Sequence, residues 1–212
     1  MLVGEYGVVV GGSAFTIPYT RFNARVRNKK DITKETREQA AKSQYYLDKI
    51  FRYLSQLPAE TFHAIPDLEY FSANLGNFWL EMDIPTGYGL GSSGAVSAAL
   101  YDLFFPEAAE LSIEQQKEDL AAIESFFHGK SSGLDALTCH ARAPIYFSSK
   151  GEIQKKEINP SKIPGGYRFF LLDSGERFET APLVGYFLEQ MKNSMFASSI
   201  RNEYLVINQK LI

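Results

Sequence analysis

The chain has 212 residues, 45% apolar and 22% charged, which is enough to bury a sizeable core and places it outside the disordered range. Its formal net charge of −3 gives no electrostatic ground for nucleic-acid binding. The single cysteine, Cys139, excludes an internal disulfide framework and suits a reducing cytoplasm.

In chain order, Met1 to Thr20 reads as strand, turn at Gly11-Gly12, strand. Its apolar run, Val8 to Ile17, lacks a basic flank and is too short for a bilayer, so neither signal nor membrane anchor is expected. The basic cluster Arg25, Arg27, Lys29 and Lys30 reads as a solvated connection before a helix. Thr33 to Leu57 predicts a long amphipathic helix, with Leu47, Ile50, Phe51 and Leu54 on one face and Pro58 as its stop. Leu68–Leu75 and Asn77–Ile84 are expected to pair as strands around Gly76. Helices are predicted over Ser92–Phe105, Ser112–Phe127 and Ser132–Ala141, and Ile145–Phe147 is expected to pair with Glu152–Ile158. Pro160–Gly166 reads as a linker, Tyr167–Asp173 as a strand and Pro182–Phe196 as a helix. Strands and helices mixed without strict alternation indicate an α+β fold rather than a doubly wound sheet.

The most informative stretch is Pro85-Thr86-Gly87-Tyr88-Gly89-Leu90-Gly91-Ser92-Ser93-Gly94, which opens a helix of small residues. Glycines let a ligand approach the backbone, and a helix N-terminus offers unpaired amides and the positive end of a dipole. That combination suits a polyphosphate. The loop lacks the Gly-Lys-Ser/Thr ending of a Walker A motif. Gly89 to Gly94 does match a dinucleotide fingerprint, but the residues after it read as helix, with no strand ending in an acid.

A second constellation runs from Glu124 through His128-Gly129-Lys130-Ser131-Ser132-Gly133 to Asp135. Its helix starts with Ser112 and Gln115 in capping-box spacing and carries Ile113, Leu120, Ile123 and Phe127 at a broadly helical period. Two acids flanking a glycine-bounded turn, downstream of a phosphate loop, suggest one magnesium ligand and one base. A zinc site from His128, Asp135 and His140 is disfavoured by its spacing, and no Gly-x-Ser-x-Gly elbow supports a hydrolase.

Together these motifs resemble the GHMP kinase superfamily and, within it, the mevalonate kinases. Pro85 to Ser93 matches the family's Pro-x-x-x-Gly-Leu-Gly-Ser-Ser, and Glu124 to Asp135 matches its Glu…His-Gly-x-Pro-Ser-Gly-x-Asp with Ser131 replacing proline. Gly4 to Gly11 resembles the family's first motif, with Tyr6 in place of histidine. The resemblance implies an S5-like α+β ATP-binding domain over residues 1–163 and the start of a ferredoxin-like C-terminal domain over 164–212. It also implies a preceding lysine and a third glycine-rich motif, so the chain is expected to be clipped at both ends.

By the same resemblance, the chain is an ATP-dependent, Mg²⁺-using kinase that phosphorylates the primary hydroxyl of a small metabolite, with mevalonate expected. Pro85, Gly87, Gly89, Leu90, Gly91, Ser92, Ser93 and Gly94 would bind the ATP phosphates. Ser93, with Ser92 as second choice, and Glu124 would hold Mg²⁺. Asp135 would act as the base, and Glu5 and Tyr6 would lie near the substrate. The alternatives are a phosphomevalonate kinase, whose first motif often reads Gly-Glu-Tyr, and a non-catalytic binding protein or fragment of the same fold. A cytoplasmic protein with a small-molecule substrate, and neither nucleic acid nor membrane as partner, is expected, with a homodimer left open.

Overall fold

The computed structural model describes residues 1–158, 171–173, 175–178 and 180–212. They form two compact units, one of Met1–Pro18, Pro85–Leu90 and Arg142–Ile212, the other of Tyr19–Ile84 and Gly91–Ala141. Helices and strands are mixed as an α+β fold requires, and among the described residues no helix is long and apolar enough to cross a membrane.

In the second unit, β2 (Ala24–Asn28) and β3 (Phe78–Met82) pair antiparallel, with Arg25 opposite Glu81 and Val26 opposite Leu80. Of the basic cluster expected as a connection, Arg25 and Arg27 therefore lie in a strand, where Arg27 bonds Glu81 on β3 at 2.9 Å, while Lys29 and Lys30 lie in the 3-10 turn that follows. The long helix α1 (Arg37–Gln56) buries Ala40, Ser43, Leu47, Ile50 and Leu54. It starts later than Thr33 because the Thr36 hydroxyl accepts the Thr33 N–H, closing a turn ahead of the helix.

The expected strand at 68–75 is instead helix α2 (Leu68–Asn74). The Asp67 side chain accepts the Tyr70 N–H at 2.8 Å, capping the first turn, and only Phe71 is buried. Phe71 then stacks on Phe104 at 3.9 Å. An N-cap and one apolar face outweigh the strand preference of the local aromatics.

Three helices complete this unit: α3 (Ser92–Phe104), α4 (Ile113–His128) and α5 (Leu134–Ala141). The capping box is formed: Ser112 accepts the Gln115 N–H at 3.3 Å, while Gln115 Oε1 accepts the Ser112 N–H at 3.0 Å. A Cβ at Gly94 would stand 2.8 Å from the Ala136 nitrogen, and one at Gly133 2.4 Å from the Lys117 carbonyl. Glycine thus sets how closely α5 approaches both α3 and α4.

In the first unit, β1 (Ala14–Thr16), β4 (Ile145–Phe147) and β5 (Ile153–Lys155) form an antiparallel sheet in the order β1-β4-β5, as the 145–158 pairing anticipates. The expected leading strand is reduced to a single bridge, Val3 to Phe15, and Gly7–Val10 is a 3-10 turn. Gly4 and Tyr6 hold positive φ, 102° and 58°, and break the extension. The helix expected over 182–196 is divided into α6 (Thr180–Gln190) and α7 (Ser194–Ser199), since the Asn193 side chain caps a new start. A π-helical turn then leads into α8 (Leu205–Leu211). The expected linker and most of the strand at 167–173 lie outside the described residues, and Leu171–Asp173 carry no strand pairing.

Candidate functional site

Gly87, Gly89 and Gly91 hold φ of 83°, 67° and 69°, so the loop depends on glycine for its path. Gly91 is the N-cap of α3, and among the described residues no side chain caps that end. The first-turn amides and the positive end of the helix dipole are therefore available to an anion. Pro85 to Leu90 belong to the first unit. There the Gly87 carbonyl accepts the Phe178 N–H at 2.9 Å, and the Arg177 guanidinium lies 5.5 Å from the centre of the Tyr88 ring. Sequence reasoning missed Arg177, because no local pattern ties it to a loop so far upstream.

The second unit gathers the remaining polar groups around Glu124, which is 4% exposed on the last turn of α4. The Ser93 hydroxyl donates to Glu124 Oε1 at 2.9 Å. The Ser131 hydroxyl, in the turn between α4 and α5, donates to Oε2 at 2.5 Å. The His128 Nε2 lies 2.9 Å from Ser93 Oγ. Because Ser93 gives its proton to Glu124, its oxygen accepts from an Nε2–H tautomer of His128.

Burial pushes the Glu124 carboxyl above its ordinary pKa; the Asp135 charge adds to this, while the bonds from Ser131 and Ser93 pull the other way. Partial burial of the His128 ring lowers its pKa, against the opposing pull of Asp135. Asp135 itself is half-buried in the first turn of α5, and a Cβ at Gly91 would come within 3.9 Å of its Cβ. The N-terminal end of α3, the end of α4 and the start of α5 thus bring Gly91, Ser93, Glu124 and Asp135 together from separate parts of the sequence. Ser92, half-buried, makes no side-chain hydrogen bond among the described residues, so only one of the two serines joins the Glu124 cluster.

Glu5 and Tyr6 belong to the first unit. Glu5 is exposed, and its carbonyl accepts the Tyr204 hydroxyl at 2.7 Å. The Tyr6 ring packs on Phe187 at 5.3 Å.

A hydroxyl and a carboxylate side by side are hard oxygen donors, the kind Mg²⁺ takes. Among the described residues no three His, Cys, Asp or Glu side chains are grouped to hold a metal. A two-oxygen set still fits Mg²⁺, which commonly binds through one or two protein oxygens and completes its shell with water and phosphate.

Residues 52–141 match the family described as GHMP kinases N terminal domain. The matched segment carries the whole of Pro85 to Gly94 together with Glu124 and Asp135. The match covers less than half of the chain and is a likeness of that segment to the N-terminal domain of GHMP kinases. Among curated proteins none matches the chain.

Proposed function

We propose that this chain transfers the γ-phosphoryl group of ATP to the primary hydroxyl of a small metabolite, with mevalonate the substrate its motifs favour. The observation that carries this reading is the Ser93–Glu124 hydrogen bond beside the uncapped end of α3, with Asp135 next to Gly91. The phosphates lie on the amides of Gly91 to Gly94, into which Pro85, Gly87, Gly89 and Leu90 lead along the chain. Mg²⁺ on Ser93 and Glu124 supplies charge neutralisation at the phosphates.

Asp135 accepts the hydroxyl proton while the substrate oxygen bonds to the γ-phosphorus. The bond from that phosphorus to the bridging oxygen breaks, and ADP leaves with the electron pair. Glu5 and Tyr6 contact the metabolite, as the resemblance implies. Residues 1–163 form the ATP-binding domain in this reading, and 164–212 open a second one.

Mg·ATP at a 100-fold excess over its dissociation constant is expected to stabilise the chain by about 2.7 kcal/mol through mass action. Gly91→Ala meets only ordinary contact with Asp135 but carries the left-handed strain of φ 69°, about 1–2 kcal/mol. The variant is therefore expected to fold with a lower melting temperature in the absence of ligand and to lose most of the shift that Mg·ATP adds to it. A full shift in the variant removes Gly91 from the phosphate site. ADP release with mevalonate and with phosphomevalonate, measured side by side, tests the substrate. Tyr6 favours the second compound, and the His-Gly-x-x-Ser-Gly-x-Asp turn the first. Binding of Mg·ATP with turnover of neither points to a non-catalytic relative.

A further inference from the structure

Ser131 stands where the resembling family places proline, a residue that has neither a hydroxyl nor a backbone N–H. Here its hydroxyl donates to Glu124 Oε2 at 2.5 Å, while its oxygen accepts the Gly133 N–H at 3.0 Å. The second bond fixes the rotor: with one lone pair engaged by the turn, the hydroxyl proton is aimed at the carboxylate. Ser93 engages the other carboxylate oxygen. Glu124 is thereby held from two directions, by the start of α3 and by the α4–α5 turn, and cannot rotate about its terminal torsion without breaking one bond. Each carboxylate oxygen keeps a further lone pair for a cation.

We propose that Ser131 is a positioning residue for the cation site: it locks the Glu124 carboxylate so that Oε1 faces the Ser93 hydroxyl in the orientation the metal needs. The inference rests on the reading of Glu124 as a magnesium ligand. Groups that orient a metal ligand without touching the metal commonly change metal affinity by 10–100-fold. A hydroxyl that only satisfied a buried carboxylate would alter stability and leave cation affinity alone.

The test is the Mg²⁺ concentration giving half-maximal ATP binding, measured by titration calorimetry on the whole chain, with the melting temperature recorded alongside. Ser131→Ala is expected to raise that midpoint roughly 10-fold while ATP affinity without Mg²⁺ stays unchanged, and Ser131→Thr, which keeps the hydroxyl, to restore it to within about two-fold. Ser131→Cys keeps the size with a much weaker donor, and its raised midpoint supports the proposal even if the alanine variant fails to fold. A lowered melting temperature with an unmoved midpoint in the Ala and Cys variants, while Glu124→Gln does move it, overturns the role of Ser131 alone. An unmoved midpoint in Glu124→Gln as well overturns the metal-ligand reading and this proposal together.

Discussion

Glu124 and Asp135 lie within one unit, yet their surroundings separate their tasks. Glu124 is buried with a hydroxyl on each oxygen, whereas Asp135 is half-buried beside Gly91. Glu124→Gln is expected to lower turnover in a way that higher Mg²⁺ or Mn²⁺ partly restores. Asp135→Asn is expected to reduce turnover by about 10²–10⁴-fold with ATP affinity nearly unchanged, since the loss falls on the transition state. Equal loss of ATP binding in both variants identifies a disrupted site instead. Cys139 offers a further check. Burial, joined by the charges of Asp135 and Glu124, pushes its thiol up to about 12. An unfolded thiol titrates near 8.5–9, so at pH 9 the folded chain holds several hundred-fold less thiolate, and alkylation by iodoacetamide is expected to slow by about that factor. Equal rates in native buffer and in urea contradict this.

At the scale of elements, the approach of α5 to α4 depends on Gly133. Its φ of 74° and the 2.4 Å gap between an added Cβ and the Lys117 carbonyl leave no room for a side chain. Gly133→Ala is expected to destabilise by about 3 kcal/mol, combining left-handed strain with overpacking. Ser112→Ala removes the hydroxyl half of the α4 capping box and is expected to lower stability by about 1 kcal/mol. Denaturant midpoints at constant slope measure both changes. A larger loss in Ser112→Ala than in Gly133→Ala contradicts the packing account.

Across the whole molecule the two units differ in how much they bury. Among the described residues the largest fully buried side chains, from Trp79 and Tyr101 to Leu134 and Leu137, all belong to the second unit. The first unit carries several large apolar residues on its surface, including Leu172, Tyr186 and Leu211. Apolar burial supplies most of the free energy that keeps amides closed. Hydrogen exchange is therefore expected to be slowest in α1, α3, α4 and β3, and at least about 10-fold faster in β1, β4 and β5. Uniform protection across both groups contradicts this division.

What the sequence by itself determined is local: the glycine loop running into α3, the Ser112–Gln115 start of α4, the long apolar face of α1 and the β4–β5 hairpin. Each is written within a few adjacent residues, through glycine's conformational range, a capping side chain or a helical period. The motifs also grouped Ser93, Glu124 and Asp135 as one expected site, and the three lie together at the start of α3, the end of α4 and the start of α5. Only the tertiary structure decided that Arg25 and Arg27 lie in a strand, because the partner of β2 is more than fifty residues away. It likewise turned Leu68–Asn74 into a helix, through the Asp67 cap and the stacking of Phe71 on Phe104. It alone brought Ser131 onto Glu124 and Arg177 over Tyr88. Contacts of this kind depend on where separate elements meet, and a window of neighbouring residues carries no information about distant partners.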